Sequence, residues 1–577
     1  MAKKKPLICS LRTPFESGGG EGFEAYPRPQ MKREGYLSLC GEWELYSLAS
    51  DKESYMGKIK VPFPPESRLS GIERTKARGE EYIYRKKIIL TKEYISKRVL
   101  LHFGAADQIA RVFVNGKKAG EHVGGYLPFS FEIAKYLLEG ENLIEVYIKD
   151  ELDLDIPYGK QREKRGGMWY TPVCGLWQAV WMEAVPKGYV KSIRLTPTLD
   201  SVTIEIDGGE GEKHLSVSTP DGALEHNFAG DRFTLKLESP RLWTPEDPYL
   251  YDFTLTAGED RIESYFALRT VTVSEMGGKS YICLNGKPYF FHGLLDQGYF
   301  PDGIYTPATP EGYKWDILKM KELGFNMLRK HIKIEPELFY YYCDKYGMIV
   351  FQDMVNSGRY HYIVDTVIPT IGPRRGITHK ASPRRREIFE RGAKETVACL
   401  YNHPSVCYYT VFNEGWGQYD ADGVYASLKA GDPSRVWDAT SGWFFERESD
   451  VRSDHIYFKK IKLRAFKDKP LVLSEFGGYS LRVEGHVFNL SENYGYKSFK
   501  DKESLTAGLS RLYLEEIVPE IEKNGLCAAV LTQLSDVEDE TNGMVTYDRQ
   551  VVKVDEGEMQ RIANALKRAF SEKVREI

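Results

Sequence analysis

The chain has 577 residues, of which 28% are charged and 13% aromatic, and its formal net charge is -4. That length exceeds what one hydrophobic core usually serves, so two to four domains are expected. Basic and acidic residues are interspersed, which argues against a nucleic-acid partner and a membrane-surface partner. No run of about 18 apolar residues occurs, which argues against a membrane-spanning helix.

The eight cysteines are scattered along the chain, without a CxxC motif or a histidine at metal-binding spacing. Several lie in apolar strands, where a free thiol behaves as a small buried hydrophobic group. The first residues contain no apolar run of signal-peptide length. We therefore expect reduced thiols and a cytoplasmic location.

The first 275 residues show an all-β pattern of short Val-, Ile-, Tyr- and Phe-rich runs between turns. Asn115-Gly116 is a strong hairpin signal inside this region. A Pro/Gly break at "VPKGY" (185–189) separates two parts. We predict a larger β-sandwich over 1–187 and a smaller one over 188–275, whose length suits an immunoglobulin-like fold.

After residue 275 apolar strands alternate with helical patterns, and the segment 311–324 carries apolar residues on one helical face. Eight strands with helical connections predict a (β/α)₈ barrel over 276–577. The predicted strands are 289–295, 326–332, 347–354, 407–414, 435–440, 453–458, 471–476 and 527–534.

Two of these strands end in a glutamate that is followed by glycine. The first reads "VFNEGWGQ" (411–418) and the second "PLVLSEFGGYS" (470–480), with Glu414 and Glu475 at the strand ends. Either residue alone could be a strand end that reaches solvent. In a (β/α)₈ barrel, however, the carboxyl ends of strands 4 and 7 open on the same mouth, where functional residues gather.

Two carboxylates across a barrel mouth suit glycoside hydrolysis, in which one is a proton donor and the other is ionised. A separation of about 5–5.5 Å implies retention of configuration and about 6.5–9.5 Å implies inversion, and the sequence leaves this distance open. A metal site is the competing use of two glutamates. It would need further ligands, and His331 and His455 also fall at strand ends.

Several motifs, in this order, resemble glycoside hydrolase family 2, the family of β-galactosidases and β-glucuronidases. They are "GEWELY" (41–46), "VPFPPES" (61–67), "GGMWYTPVCGLWQAVWME" (166–183), "LWTPEDPYLY" (242–251), "FALRTV" (266–271), "LNGKPYFFHG" (284–293), "FNEGWGQ" and "LSEFGG". The resemblance covers nearly the whole chain. It implies a jelly-roll sugar-binding-like domain over 1–187, an immunoglobulin-like domain over 188–275 and the catalytic barrel.

The resemblance also implies roles. Glu414 would be the acid/base of a retaining exo-β-glycosidase and Glu475 its nucleophile. Asn413 would bind the sugar 2-hydroxyl. Tyr457 would hydrogen-bond the nucleophile, although it could also be a half-buried strand tyrosine. The residues expected to bind the sugar are His292, Asp296, Trp443 and Gln533, together with Arg329 and His331 in "LRKHIKIEP" (328–336), where the family often has Arg-x-x-His-Tyr-Pro.

The expected partner is a small carbohydrate substrate, with no cofactor, no metal and, by resemblance, a homo-oligomer. A β-galactoside or a β-uronide remains open as substrate. Family glucuronidases hold the carboxylate with Asn-x-Lys, but here Asn542-Gly543-Met544 has methionine. Basic residues after strands 2 and 3 could bind the sugar carboxylate in place of that lysine, or could merely solvate long loops. They are Arg329, Lys330, Lys333, Arg359, Arg374, Arg375 and Lys380. The alternative function is an inactive, carbohydrate-binding family member.

Overall fold

The computed structural model describes residues 8–17, 22–368 and 379–576. Among these residues, no helix combines the length and the apolarity that crossing a membrane requires. All eight cysteines lie in the described ranges and all are free. The prediction of unpaired thiols is therefore confirmed.

The N-terminal part is a sandwich of two antiparallel sheets, as its period-two apolar pattern predicts. The Asn115-Gly116 hairpin is confirmed, and both residues take positive φ angles, 49° and 72°, as a type I′ turn needs. In spatial order, the six-stranded sheet contains Lys52–Val61, Gly41–Ala49, Glu81–Leu90, Gly140–Lys149, Ile109–Val114 and Lys117–Val123, and the four-stranded sheet contains Tyr36–Ser38, Val180–Val185, Arg98–Phe103 and Phe129–Glu132.

A second antiparallel sandwich follows. Its strands alternate buried and exposed residues and enclose their own apolar core. The three-stranded sheet contains Val190–Pro197, Ser201–Gly208 and Arg232–Lys236, and the four-stranded sheet contains Gly222–Phe228, Lys213–Thr219, Tyr251–Ala257 and Asp260–Phe266. A small sheet of Val271–Met276, Lys279–Leu284 and Lys287–Pro288 leads into the barrel. The predicted boundary at 275 falls inside Val271–Met276, and the domain limits stay predictions.

Eight parallel strands then form a nearly closed barrel, and each predicted strand overlaps one of them. In chain order, barrel strands 1 to 8 are Phe291–Asp296, Met327–Lys330, Ile349–Asp353, Val406–Phe412, Val436–Thr440, Arg452–Ile456, Leu471–Gly477 and Leu526–Thr532. Strands 5 and 6 are the edges of the hydrogen-bonded sheet and lie next to each other. The residues of both strands are buried throughout, although strand 6, Arg452–Ile456, is mostly polar.

Helices pack around the barrel, and the last one, predicted near 556–570, is Glu556–Arg575. The others are Glu311–Glu322, Glu337–Tyr346, the short π-helical segment Ile363–Val367, Pro383–Leu400, Ala421–Gly431 and Lys502–Leu512, the last continuing through Tyr513–Ile517 into Val518–Asn524. The expectation of a helix in every connection was wrong. Residues 441–451 and 457–470, which follow strands 5 and 6, are fully described and contain none. In the first, Gly442 takes a left-handed φ of 86°, and the second is rich in lysines that would repel one another on a helix.

Candidate active site

A cavity opens at the carboxyl ends of the barrel strands. Its walls come from the barrel mouth, from the segment after strand 7 and from the N-terminal sandwich. The sandwich contributes a long loop that is fastened to the barrel. Tyr170 Oη donates to Glu540 Oε1 over 2.7 Å, and Tyr158 Oη donates to the Gly358 carbonyl over 2.7 Å. The cavity is therefore built by two parts of the chain that are remote in sequence.

Glu414 lies just beyond strand 4 rather than within it. The strand ends at Phe412, and a single turn, Asn413–Gly415, directs the carboxylate into the cavity. Glu414 has a φ of 49°, a left-handed conformation that is uncommon outside glycine. Such strained backbone gathers at functional sites, because the surrounding structure must hold it.

Glu475 lies inside strand 7, at a point where the register with both neighbouring strands is irregular. Its carboxylate is held from two sides. Arg329 Nη1, from strand 2, donates to Oε1 over 2.8 Å, and Tyr457 Oη donates to Oε2 over 2.5 Å. Tyr457 Oη also lies 2.8 Å from Thr532 Oγ1. This carboxylate is thus fixed in one orientation.

His455, at the end of strand 6, lies between the two carboxylates. Its Nδ1 is 2.9 Å from Glu414 Oε1 and 3.6 Å from Glu475 Oε2. One ligand-type atom from each of these three residues lies within 4.8 Å of the other two. The carboxylates are therefore close together, and the same three residues keep the metal alternative open. A cation there would share Glu475 with the Arg329 guanidinium, which is electrostatically unfavourable.

The two carboxyl groups are shifted in opposite directions. Burial raises the pKa of Glu414, with a smaller contribution from the charge of Glu475 and an opposing hydrogen bond from His455. Burial acts in the same direction on Glu475, but His455 and Arg329 outweigh it and hold the pKa of Glu475 at about 2. A pair whose pKa values are driven apart supplies one proton donor and one permanent carboxylate.

Arg329 also organises the neighbouring side chains. Its Nη2 donates to Asn413 Oδ1 over 2.9 Å, and its Nε donates to Asp353 Oδ1 over 3.0 Å. Asp353 Oδ2 in turn lies 2.7 Å from His331 Nδ1. Burial lowers the pKa of His331 to about 4, so its ring is neutral at pH 7. Arg329 itself lies beneath the cavity, whereas Asn413 and His331 line it.

The remaining predicted sugar-binding residues divide into two groups. Trp443 lines the cavity and meets the His455 ring edge to face, with centroids 6.0 Å apart. His292 does not line the cavity. It lies near the start of strand 1, where it packs on Phe325 and its Nδ1 faces the Gly324 carbonyl. The other two also lie outside the lining, since Asp296 pairs with Lys330 and Gln533 donates to Glu540 and Asn542.

The basic residues after strands 2 and 3 that the structure describes are not among those that line the cavity. Lys330 and Lys333 are buried and both bind Glu335 Oε1 over 2.9 Å. Arg359 and Lys380 are exposed and are not among the residues that line the cavity. Arg374 and Arg375 lie outside the described residues. Internal ion pairs or solvent therefore hold the described side chains of this group, and the expectation that one of these basic residues binds the sugar stays a prediction.

The cavity also contains residues that sequence reasoning did not find. They are Lys160 from the sandwich, Glu540 and Gln297 from barrel loops, and an aromatic rim that includes Trp416, Tyr360, Tyr362, Phe458, Tyr494 and Tyr496. Asp353 ends strand 3, so the strand-end argument that found Glu414 could have found it. Lys160 carries no comparable signal, since it lies in a sandwich loop.

Two buried carboxylates with opposed pKa shifts, at the mouth of an eight-stranded barrel, form the arrangement typical of carboxylate-pair glycoside hydrolases. Three family models match this chain. They are the glycosyl hydrolases family 2 sugar binding domain over 40–160, the general family 2 model over 190–269, and the family 2 TIM barrel domain over 277–487. Together they cover well over half of the chain. The chain belongs to glycoside hydrolase family 2.

Individual relatives agree with this assignment. A β-galactosidase from Thermoanaerobacter pseudethanolicus is 27% identical over 436 residues, which are 69% of this chain and 54% of that protein. The chain spans about half the length of such curated relatives.

Solved structures share the fold. A β-D-glucuronidase from Dictyoglomus thermophilum matches with a TM-score of 0.73 at 20% identity, over 95% of this chain and 98% of that one. A β-galacturonidase from Eisenbergiella tayi, bound to galacturonate, matches with a TM-score of 0.69 at 18% identity, over 94% and 99%. At these identities the likeness concerns architecture.

Proposed function

We propose that the protein is a retaining exo-β-D-glycosidase that hydrolyses terminal β-linked pyranosides by double displacement. The observation that carries this proposal is the spacing of Glu414 and Glu475, which each place a carboxylate oxygen within 4.8 Å of the other. That spacing suits direct attack on the anomeric carbon, whereas an inverting enzyme needs room for a water molecule between the sugar and its base.

In the first step the Glu475 carboxylate attacks the anomeric carbon while Glu414 protonates the departing glycosidic oxygen. This yields the free aglycone and a covalent glycosyl ester on Glu475. In the second step the Glu414 carboxylate takes a proton from water, which attacks the same carbon and releases Glu475. Each step inverts the configuration, so the product keeps the β-anomer.

The surrounding residues support these roles. Arg329 and Tyr457 hydrogen-bond the nucleophile and keep it ionised and oriented. Asn413 Oδ1 accepts from Arg329 and from Ser441 Oγ, and its amide NH₂ has no partner among the described residues, so it can face the sugar 2-hydroxyl. Hydrogen bonds to that hydroxyl strengthen in the transition state. Because the sandwich loop and the segment after strand 7 form part of its walls, the cavity favours a single terminal sugar over a continuous polysaccharide strand.

The substrate is a β-galactoside or a β-uronide. Similar proteins are named for both, as a β-galactosidase, a β-glucuronidase and a β-galacturonidase. Met544 is buried and stands where the glucuronidase Asn-x-Lys signature needs lysine, which disfavours an ordinary glucuronidase. A homo-oligomer also stays a prediction, which light scattering of the purified protein tests.

Turnover of a panel of nitrophenyl β-glycosides tests the function, with Glu475→Gln as the matched inactive control. We expect release of nitrophenol from at least one member, and proton NMR at early times should show the β-anomer first. An α-anomer as first product would contradict the retaining mechanism. Binding of the free sugar without turnover of any member would instead identify an inactive, carbohydrate-binding protein.

A further inference from the structure

Lys160 is a buried cation at the candidate active site that comes from outside the barrel. It lies in the loop of the N-terminal sandwich that covers the barrel mouth, and 7% of its surface is exposed. Its neighbour Gln161 anchors the loop, because Gln161 Nε2 donates to Asp107 Oδ2 over 2.7 Å and its Oε1 accepts from the Val173 amide. The backbone at Lys160 is therefore held in place, and its side chain lines the cavity.

The Lys160 ammonium group has no carboxylate partner within 4.0 Å and no hydrogen-bond acceptor among the described residues. Its Nζ lies instead 5.6 Å from the centre of the Tyr170 ring and 5.9 Å from that of Trp416. Ring faces stabilise a cation only in part. Other buried lysines near the barrel mouth are fully engaged, since Lys330 binds Asp296 and Glu335.

A buried charge without a partner is unfavourable, so a protein normally retains one only where a bound ligand supplies the opposite charge. The charged groups that face Lys160 are Glu414, Glu540 and, when protonated, His331. Glu414 is the candidate proton donor. Glu540 already accepts hydrogen bonds from Tyr170, Gln533 and Asn542. Neither carboxylate pairs directly with Lys160, which leaves its three donors for the cavity.

We propose that Lys160 selects for a β-uronide by binding the 6-carboxylate of the sugar in the candidate active site. The inference rests on the proposed glycosidase function and adds its substrate class. A lysine ammonium group is a compact point charge that binds a carboxylate with charge-assisted hydrogen bonds. The described basic residues after strands 2 and 3 are paired internally or exposed to solvent. Lys160, in contrast, lines the cavity and has no carboxylate partner among the described residues.

The first experiment compares kcat/KM of the wild-type protein for nitrophenyl β-galacturonide, β-glucuronide, β-galactoside and β-glucoside. We expect at least one uronide to exceed the neutral sugar of the same configuration by roughly tenfold or more, the effect of one hydrogen bond between charged groups. A neutral sugar preferred over its uronide would overturn the role of Lys160 and leave the glycosidase function standing. No turnover of any of the four would count against the glycosidase function itself.

The second experiment uses Lys160→Met, which keeps the packing of the side chain on Tyr170 and Trp416 but removes its charge. The ratio of kcat/KM for the uronide to that for the neutral sugar should fall by roughly tenfold to a hundredfold. Lys164→Met is the matched control, since Lys164 lies in the same loop but is exposed. This control should leave the ratio unchanged, and an equal fall in both variants would overturn the proposal.

A binding measurement covers the case in which Lys160→Met does not fold. Titration of Glu475→Gln with free galacturonic acid, glucuronic acid, galactose and glucose should show tighter binding of an acid than of the matching neutral sugar. The difference should shrink as salt is added, because the interaction is between opposite charges. Equal affinity for each acid and its neutral counterpart would overturn the proposal.

Discussion

Arg329 Nη1 donates a 2.8 Å hydrogen bond to Glu475 Oε1 and so joins barrel strand 2 to barrel strand 7. Both side chains are buried, and the guanidinium also binds Asp353 and Asn413. An ion pair of this kind stabilises the ionised carboxylate far more than an exposed pair would. It keeps Glu475 ionised, which the proposed role as nucleophile requires.

Replacing the candidate nucleophile should abolish turnover. Glu475→Gln keeps the shape of the side chain but removes its negative charge, so no glycosyl ester can form. We expect kcat/KM to fall on the order of 10⁴-fold or more on every substrate, as removal of a catalytic nucleophile does. Initial rates with nitrophenyl glycosides measure the effect. Circular dichroism should show an unchanged fold, and retention of more than a few per cent of the activity would reject this role.

The loss of activity on replacing the candidate acid/base should depend on the leaving group. Glu414→Gln should lower kcat by roughly 10²- to 10⁴-fold for alkyl glycosides, which need protonation, and far less for activated dinitrophenyl glycosides. Azide should restore the turnover of a dinitrophenyl glycoside by Glu414→Ala and give a β-glycosyl azide. Formation of an α-azide, or no rescue at all, would reject Glu414 as the acid/base.

The pH profile of kcat/KM should be asymmetric over the accessible range. Activity needs Glu475 ionised and Glu414 protonated. The pKa of Glu475 is about 2, so activity is lost on the acidic side only near that pH. Burial raises the pKa of Glu414, so activity falls on the alkaline side as that group loses its proton. Because the two carboxyl groups interact, the apparent pKa values of the two limbs describe the pair and not either residue alone. A profile that is flat up to roughly pH 9 would conflict with this assignment.

Tyr457 should control the acidic limb. Its hydroxyl donates to Glu475 Oε2, so Tyr457→Phe removes one hydrogen bond from the ionised form and should raise the pKa of Glu475. The acidic limb should move upward by about one pH unit, the effect of roughly 1.4 kcal/mol. A change in kcat at all pH values without movement of the limb would mean that Tyr457 has only a structural role.

Asp107 in the N-terminal sandwich should make stability depend on pH. The residue is fully buried, and burial, followed by the charge of Asp150, raises its pKa well above the ordinary value. A raised carboxyl pKa means that the unfolded chain ionises first. The free energy of unfolding should therefore fall as pH rises above about 4, by up to about 1.4 kcal/mol per pH unit.

Asp107→Asn removes this ionisation and keeps an oxygen that can accept the bond from Gln161. The melting temperature of the variant relative to the wild type should therefore rise between pH 5 and pH 8. Asp153→Asn is a suitable control, because Asp153 is only partly buried. A difference between variant and wild type that does not change with pH would contradict the argument.

Local patterns were sufficient to predict the architecture and the two central glutamates. Strands such as Leu471–Gly477 are buried on both faces, so they appear in sequence as short apolar runs that end abruptly. The Asn-Gly turn at 115–116 and the barrel strands were predicted for the same reason, because each depends on residues that are neighbours in the chain. The order of strands then placed Glu414 and Glu475 at one mouth.

The tertiary structure decided which charges are free and how close the carboxylates lie. The sequence suggested Lys330 and Lys333 as partners for a substrate carboxylate, but both pair with Glu335. Lys160, in a loop of the N-terminal sandwich, lines the cavity instead. Arg329 and Glu475 are 146 positions apart in the chain, and no period or motif encodes their contact. Electrostatic pairing depends on distance in space and on burial. Sequence order determines neither, because both arise only when the sandwich packs over the barrel mouth.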